Sequence, residues 1–469
     1  MDTLPPDSDA SYRRLSLWLD CLPEPLAPRL ALSGSQTADV AIIGAGYTGL
    51  WTALYLKQHA PQLDIAIVEA EVAGFGASGR NGGWCSGYLS GISSWLDEPA
   101  QREGALRLQR LMFEAVAEVG RVCVAAGIDA QFEHSGQVEA AVRPWQLERC
   151  RRELAHYREL GLGEDFIALD AAGVGERVGI AGALGGMFFP HCAAVQPARL
   201  VRGLARVVES LGVRIYEQSP VTQFAAGRVR TAQGDIQARQ VVLATEGYGC
   251  RLPGLARHLI PIHSMMVATA PLDDAQLEAT GLQRRHAFNN MDHLVTYGQL
   301  TADRRLAFGC RGTYGFANAI MDFHAAQPRF DFVRAKLLEL FPALRGVQFT
   351  HAWGGCMGVS RSLRPCVSFD PSSGLAWAGG YFGNGVAASN LAGRSLADLL
   401  LARDTERLRT PWINPPRERG LRSRLWEPEP LRWLGIHARA RWMQWTDAAE
   451  RRDSFLAPGM NWVLGKVFP

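Results

Sequence analysis

Two short apolar runs, Val40-Ala41-Ile42-Ile43 and Ile65-Ala66-Ile67-Val68, flank a segment that reads as helix from Leu50 to Lys57. Apolar runs without alternation suit strands covered on both faces, so the pattern predicts a strand–helix–strand unit of a parallel sheet. Further on, Leu108, Leu111, Ala115, Val119 and Val122 recur at three- and four-residue steps. They predict a long helix over 97–126 that stops at Gly127. Helices are also expected over 145–160 (after Pro144), 197–211, 327–340, 387–401 and 431–453. Strands are expected over 137–142, 184–189, 213–216, 229–231, 240–245, 261–271 and 374–378, with Gln233-Gly234-Asp235 as a turn. Residues 294–300 and 305–309 read as a hairpin around Thr301-Ala302-Asp303. The Pro-rich residues 1–37 form a leading arm, with a short helix at 16–19 packed on the outside and Trp18 as its apolar anchor.

The order of these elements implies an α/β protein of two interleaved domains. A Rossmann-like domain of the glutathione-reductase type takes residues 38–127, 195–254 and 350–403. A substrate domain, α+β and built on an antiparallel sheet, takes 128–194 and 255–349. Residues 404–469 form a tail holding Trp412, Trp426, Trp433, Trp442, Trp445 and Trp462 among the chain's 13 tryptophans. Arginines 407, 409, 417, 419, 422 and 424 cluster in its first part. A strap across the two domains is expected of it. Contact with a membrane surface is less favoured, because the helix at 431–453 carries acids.

The first strand ends in Gly44-Ala45-Gly46-Tyr47-Thr48-Gly49. Gly44 permits the tight turn, Gly46 lets backbone approach a pyrophosphate, and Gly49 lets helix and strand pack closely. The helix start offers N–H groups and a positive dipole end to phosphate. Glu69 lies 20 residues beyond Gly49, at the end of the second strand, followed by Ala70. Its carboxylate suits both hydroxyls of an adenosine ribose and repels a 2′-phosphate, which removes NADP and leaves NAD and FAD. A second glycine-rich loop, Gly76-Ala77-Ser78-Gly79-Arg80-Asn81-Gly82-Gly83, has no use in an NAD enzyme and suits backbone laid along a ribityl chain and ring. FAD is the expected cofactor.

Composition narrows the class. At 469 residues the chain exceeds one small core. With 47% hydrophobic and 20% charged residues it reads as an ordinary soluble protein, and a net charge of +3 gives no case for nucleic acid. Lys57, Lys336 and Lys466 are the only lysines among 49 basic residues. Nine cysteines without a CxxC pair argue against a disulfide framework, a zinc site or a dithiol mechanism. With no signal-like start and no spanning apolar stretch, the cytoplasm is the default location.

The segments 43–50 and 74–83 together resemble the D-amino-acid-oxidase superfamily of FAD-dependent amine oxidoreductases, most closely its gamma-glutamylputrescine oxidase-like branch. The resemblance covers roughly residues 35–405. It implies that Val221 lays backbone on the adenine and that 241–247, with Thr245 and Gly247, covers the flavin. Glu246 stands where a small residue or Asn is usual. It implies a last flavin segment from His351 through Trp353, Gly380, Tyr381, Gly383, Asn384, Gly385 and Val386, whose following helix points its dipole at the flavin's pyrimidine edge. Asn384 replaces a frequent His. Some relatives activate oxygen with a lysine in the substrate-domain hairpin; Arg305-Leu306-Ala307-Phe308-Gly309 has none. Cys356 stands near the position of a covalent flavin link in other relatives.

A single dinucleotide fingerprint means that the electrons come from the organic substrate. The resemblance then implies hydride transfer from the carbon next to nitrogen to flavin N5, and an imine that hydrolyses. O2 is the expected acceptor, with a quinone or carrier protein as the alternative and a non-catalytic FAD-bound component as a third reading. His263 is a candidate to position the amine or take its proton. Tyr297, Trp353 and Tyr381 are candidate pocket walls. Arg361, with Arg311 and Arg364, is a candidate clamp for a substrate carboxylate.

Overall fold

The computed structural model describes residues 9–321, 323, 327–414, 424–452, 454 and 456–467. Its parallel sheet grows from the first apolar run. Gly34–Ile43 is flanked by Gly234–Leu243 on one side and Ile65–Val68 on the other, both parallel to it. Arg214–Tyr216 extends the sheet beyond Ile65–Val68. Leu375–Gly379 and then the antiparallel Cys366–Asp370 extend it beyond Gly234–Leu243. Every residue of Ile65–Val68 is buried, as expected of a strand covered on both sides. Side chains of Tyr47–His59, Arg102–Ala125, Pro197–Ser210 and Gly385–Leu400 share one apolar core over one face. A meander of Val221–Ala225 and Arg228–Thr231 adds Val229 to the core of the other face. The predicted turn at 233–235 is displaced: Gly234 already pairs with Gly34, and the alternation of Ile236 and Ala238 inward carries the strand back to that point.

The second sheet has the order Phe349–Ser360, Leu259–Thr269, Leu306–Tyr314, Thr296–Leu300, Ala287–Asn290, Gln137–Ala141, Gly185–Phe189, Ile167–Asp170. All neighbours are antiparallel except Ala287–Asn290 with Gln137–Ala141. The boundary expected at residue 350 falls inside the strand Phe349–Ser360. That strand pairs along its length with Leu259–Thr269 in the antiparallel sheet, so the chain rejoins the parallel sheet only at Cys366.

The arm is more deeply engaged than an outer helix. Ser16 caps the short helix Leu17–Asp20 and donates to the carbonyl of Gly79 at 2.8 Å. The buried Trp18 donates from its indole to Asn81 O at 2.7 Å and meets Trp353 edge to face. Arg29 forks onto Glu209 and the fully buried Glu217, whose carboxylate also accepts the Ala73 N–H.

The tail straps the antiparallel sheet. Arg361 pairs with Glu427 at 2.9 Å, and the Trp426 indole donates to Val359 O. Helix Leu431–Arg451 is clasped through Glu450, which holds Arg149 at 3.0 Å and His293 at 3.2 Å, and through Asp447, which accepts the N–H groups of His293 and Leu294. Arg407 and Arg409 pair with Asp398 and Asp404, while arginines 417, 419 and 422 lie outside the described residues. No described helix is long and apolar enough to cross a membrane. Replacing Trp18 by Ala is expected to cost about 3–5 kcal/mol in chemical denaturation, because it empties a buried aromatic site and leaves the Asn81 carbonyl unpaired.

Candidate active site

The cleft opens at the carboxyl ends of the parallel strands, where ligands of open α/β sheets bind. Gly44 turns the chain with φ +109°, a left-handed conformation that L side chains rarely adopt. A Cβ at Gly49 would stand 2.1 Å from Gly44 O, so helix and turn meet only through glycine. Helix Tyr47–His59 begins after Gly46 with no side-chain cap, and its open first turn suits an anion. Glu69 accepts the Ala45 N–H at 2.8 Å and the Glu71 N–H at 3.1 Å. Burial pushes its carboxyl up to about 7. Hydroxyl donors brought by a ligand favour the ionised form again.

From this turn a cleft of about 1020 Å³ runs to the antiparallel sheet. Gly44, Gly46, Tyr47 and Thr48 line it, with Glu69 and Ala70. The second glycine loop lines it through Gly76, Ala77, Ser78, Asn81 and Gly82. Ser78 accepts the Tyr47 N–H, and Asn81 ties its own loop by bonds to Ala77 O, Ser78 O and Gly83 N. Val221 and Thr245 line the cleft, as do Tyr381, Gly383, Asn384, Gly385 and Val386 at the start of Gly385–Leu400. The Tyr381 hydroxyl lies 3.1 Å from that of Thr48, so one bridge joins the two helix starts.

Other expected residues stand behind this lining. Ala45 gives its N–H to Glu69, and Gly79 and Gly83 shape the loop. Arg80 lies over Phe75, and its carbonyl accepts the buried Trp353 indole at 3.0 Å. Trp353 therefore props the loop from behind rather than walling the cleft. Gly247 and Gly380 frame Glu246, whose carboxylate faces the cleft and accepts backbone N–H groups from Gly358, Gly380 and Tyr381. Burial raises this carboxyl against the lowering effect of those bonds.

At the far end residues of the antiparallel sheet wall the cleft. Tyr297 meets Trp84 edge to face and lines the cleft, its hydroxyl pushed up to about 12 by burial. Arg311 lines the cleft over the ring of Phe382 and has no acidic partner within ion-pair distance among the described residues. Glu139 and Glu153 face the same space beside Tyr88, Tyr157 and Asn289. Burial first, then the Glu153 charge, pushes the Glu139 carboxyl up to about 8.

Three candidates from the sequence fall outside. His263 does not line the cleft: its Nδ1 lies 3.3 Å from Thr313 O and its Nε2 accepts the Met321 N–H at 3.1 Å. Burial lowers it to about 4, which keeps a ring that serves as a backbone brace neutral. Arg361 turns to the tail and Glu427, and Arg364 to Ser94 and the face of Trp95. The acid pair was missed, although Gln137 and Glu139 are the polar positions of a strand whose Val138 and Ala140 point the other way into the core.

A group that completes this site carries phosphates, a diol and a long flat body. The buried Tyr248 hydroxyl, on a residue lining the cleft, has no partner, and a Cβ at Gly46 would meet Ser78 Oγ at 3.0 Å. Both observations fit a dinucleotide lying along the glycine turns. The fold and cleft thus define a flavin-type dinucleotide protein. Residues 39–399 match the DAO family, FAD dependent oxidoreductase, and the chain belongs to that family. It is 30% identical over 386 residues to the gamma-glutamylputrescine oxidoreductase of Escherichia coli (strain K12), covering 81% of this chain and 87% of the relative. To a probable oxidoreductase, OrdL, of Rhizobium meliloti (strain 1021) it is 32% identical, covering 80% and 86%. The fold is shared with the glycine oxidase of Geobacillus kaustophilus, with a TM-score of 0.66 at 22% identity over 79% of this chain and 96% of that one. The cofactor is FAD. Gly49→Val is expected to yield folded protein without flavin absorbance, because the added side chain drives the turn off the helix start.

Proposed function

We propose that this protein oxidises a small amine or amino acid at the carbon next to nitrogen. The observation that carries the reading is the pairing, in one cleft, of the unpaired Arg311 with the acid pair Glu139 and Glu153. FAD, held by the glycine turns, Glu69 and the start of Gly385–Leu400, would supply the electron sink for that oxidation, with O2 reduced to H2O2 as the expected acceptor. The substrate is left with a C=N bond, which water hydrolyses to an aldehyde or keto acid and ammonia or an amine. No protein nucleophile and no metal are needed.

The residues of the chain bind and prepare the substrate. Arg311 offers a fork to a carboxylate or other anion, and its low-dielectric surroundings strengthen that attraction. Once ionised, Glu139 and Glu153 attract an ammonium. A carboxyl raised to about 8 stands closer to an amine in proton affinity than an exposed one, so Glu139 is suited to take the proton that must leave before oxidation. Tyr297, Trp84 and Tyr88 wall the space and exclude water. Tyr381, bonded to Thr48, is suited to hold the cofactor cradle rather than the substrate.

Acceptor choice has a second reading. The strand Leu306–Tyr314 and the hairpin before it carry no lysine, which favours a dehydrogenase passing electrons to a quinone or a protein carrier. Peroxide formed in step with turnover decides for O2.

Anaerobic mixing of the yellow protein with simple amines, N-methyl amino acids and D- and L-amino acids tests the core of the proposal. Bleaching by at least one class is expected, and bleaching by none overturns it. Arg311→Gln is expected to raise KM about 10- to 100-fold for carboxylate-bearing substrates and to leave simple amines little changed. The pH dependence has a defined sign. Glu139 is neutral below its raised pKa and anionic above it, so kcat/KM for a cationic amine rises as pH passes through about 8. Glu139→Gln removes that limb from the profile.

A further inference from the structure

Helix Leu431–Arg451 buries charged groups and exposes several large apolar ones. Its buried residues are Arg432, Thr446, Asp447 and Glu450. Leu431, Leu434 and Trp445 are 62%, 53% and 54% exposed. A helix on a protein surface in water normally shows the reverse. The inward side is fully engaged: Glu450 with Arg149, His293 and Asn461, Asp447 with two backbone N–H groups, and Arg432 with Glu429. Charged groups thus anchor the helix, Trp433 and Ile436 pack inward against Ile260, Tyr314 and Val359, and Leu431, Leu434 and Trp445 face outward.

Among the described residues of the helix and its cap, the exposed charges are of one sign. Arg441, Arg451 and Arg452 are exposed, and the helix's only acids, Asp447 and Glu450, are both buried. The acids that argued in the sequence against a membrane-facing helix thus lie on its inner side. The adjoining helix Ala457–Val467 adds the exposed Trp462, and Leu456 is exposed at its entry. Leucine and tryptophan amid arginines match the depth profile of a bilayer surface, with rings and aliphatic groups at headgroup level and guanidinium groups on lipid phosphates. A second copy of the chain fits poorly, because pairing this face with itself brings two all-arginine sets of exposed charges together with no exposed acid of the helix to offset them.

We propose that the outer face of helix Leu431–Arg451 docks the protein on an anionic phospholipid surface, peripherally and without spanning it. The arginines attract the surface, and Leu431, Leu434 and Trp445 enter the headgroup layer.

Flotation of the flavin-loaded full-length protein with vesicles tests this. One set is phosphatidylglycerol mixed with phosphatidylcholine and the other is phosphatidylcholine alone. Wild-type protein is expected to float with the anionic vesicles, less so as salt rises, and to stay behind with the neutral ones. Arg441→Gln with Arg452→Gln is expected to lower partitioning about 30-fold, at roughly fivefold per arginine near a charged surface. Leu434→Asp with Trp445→Asp is expected to abolish it while flavin content and activity in solution stay at wild-type values. Equal partitioning of wild-type protein into both vesicle types, or none into either, overturns the proposal. So does a wild-type dimer in light scattering that the Leu434 and Trp445 changes dissociate, since this assigns the face to a second copy.

Discussion

One buried carboxylate holds the two sheets together at the cleft. Glu246 follows the parallel strand Gly234–Leu243 and accepts N–H groups from Gly358, in the antiparallel sheet, and from Gly380 and Tyr381, at the end of Leu375–Gly379. A charged acceptor satisfied by several backbone donors is among the stronger interactions available inside a protein, and removing it would strand those donors in a buried place. A Cβ at Gly358 would stand 2.2 Å from the Glu246 carboxylate, so the close approach also fixes glycine on the opposing strand. The relative position of cofactor cradle and substrate wall depends on this junction.

The cofactor half was legible in the sequence because its chemistry is local. The turn, the helix start and the acid of the second strand lie between Gly44 and Glu69, and each has a geometric reason tied to its neighbours in the chain. The substrate half was not, because Glu139, Glu153, Tyr297 and Arg311 come from separate elements and converge only after the sheet has formed. Arg361 and Arg311 look alike as isolated arginines. Their fates differ because Glu427 of the tail reaches one, and no acid among the described residues reaches the other within ion-pair distance. His263 misled for a related reason: its strand is part of the substrate sheet, but the ring turns to Thr313 and Met321 rather than into the cleft.

Electrostatics divides the cleft into unlike ends. At one end the open turn of helix Tyr47–His59 and the pinned Glu69 suit an anionic dinucleotide and its diol. At the other, Arg311 and the Glu139–Glu153 pair give a dipolar environment with few internal partners. Polar groups held in a low-dielectric space without partners cost stability in the free protein. They persist here on rigid strands, where a ligand of matching charge can repay that cost.

The interleaving of the two sheets sets the order in which the protein can be made. Gly34–Ile43 pairs with Gly234–Leu243, about two hundred positions away, and the helix that closes the cradle begins only at Gly385. A nascent chain emerging from the ribosome therefore carries the dinucleotide fingerprint for most of its synthesis without the strands and helix that complete its pocket. The pocket is complete only once the helix from Gly385 is made, and one edge of Gly34–Ile43 stays unpaired until Gly234–Leu243 arrives near mid-chain.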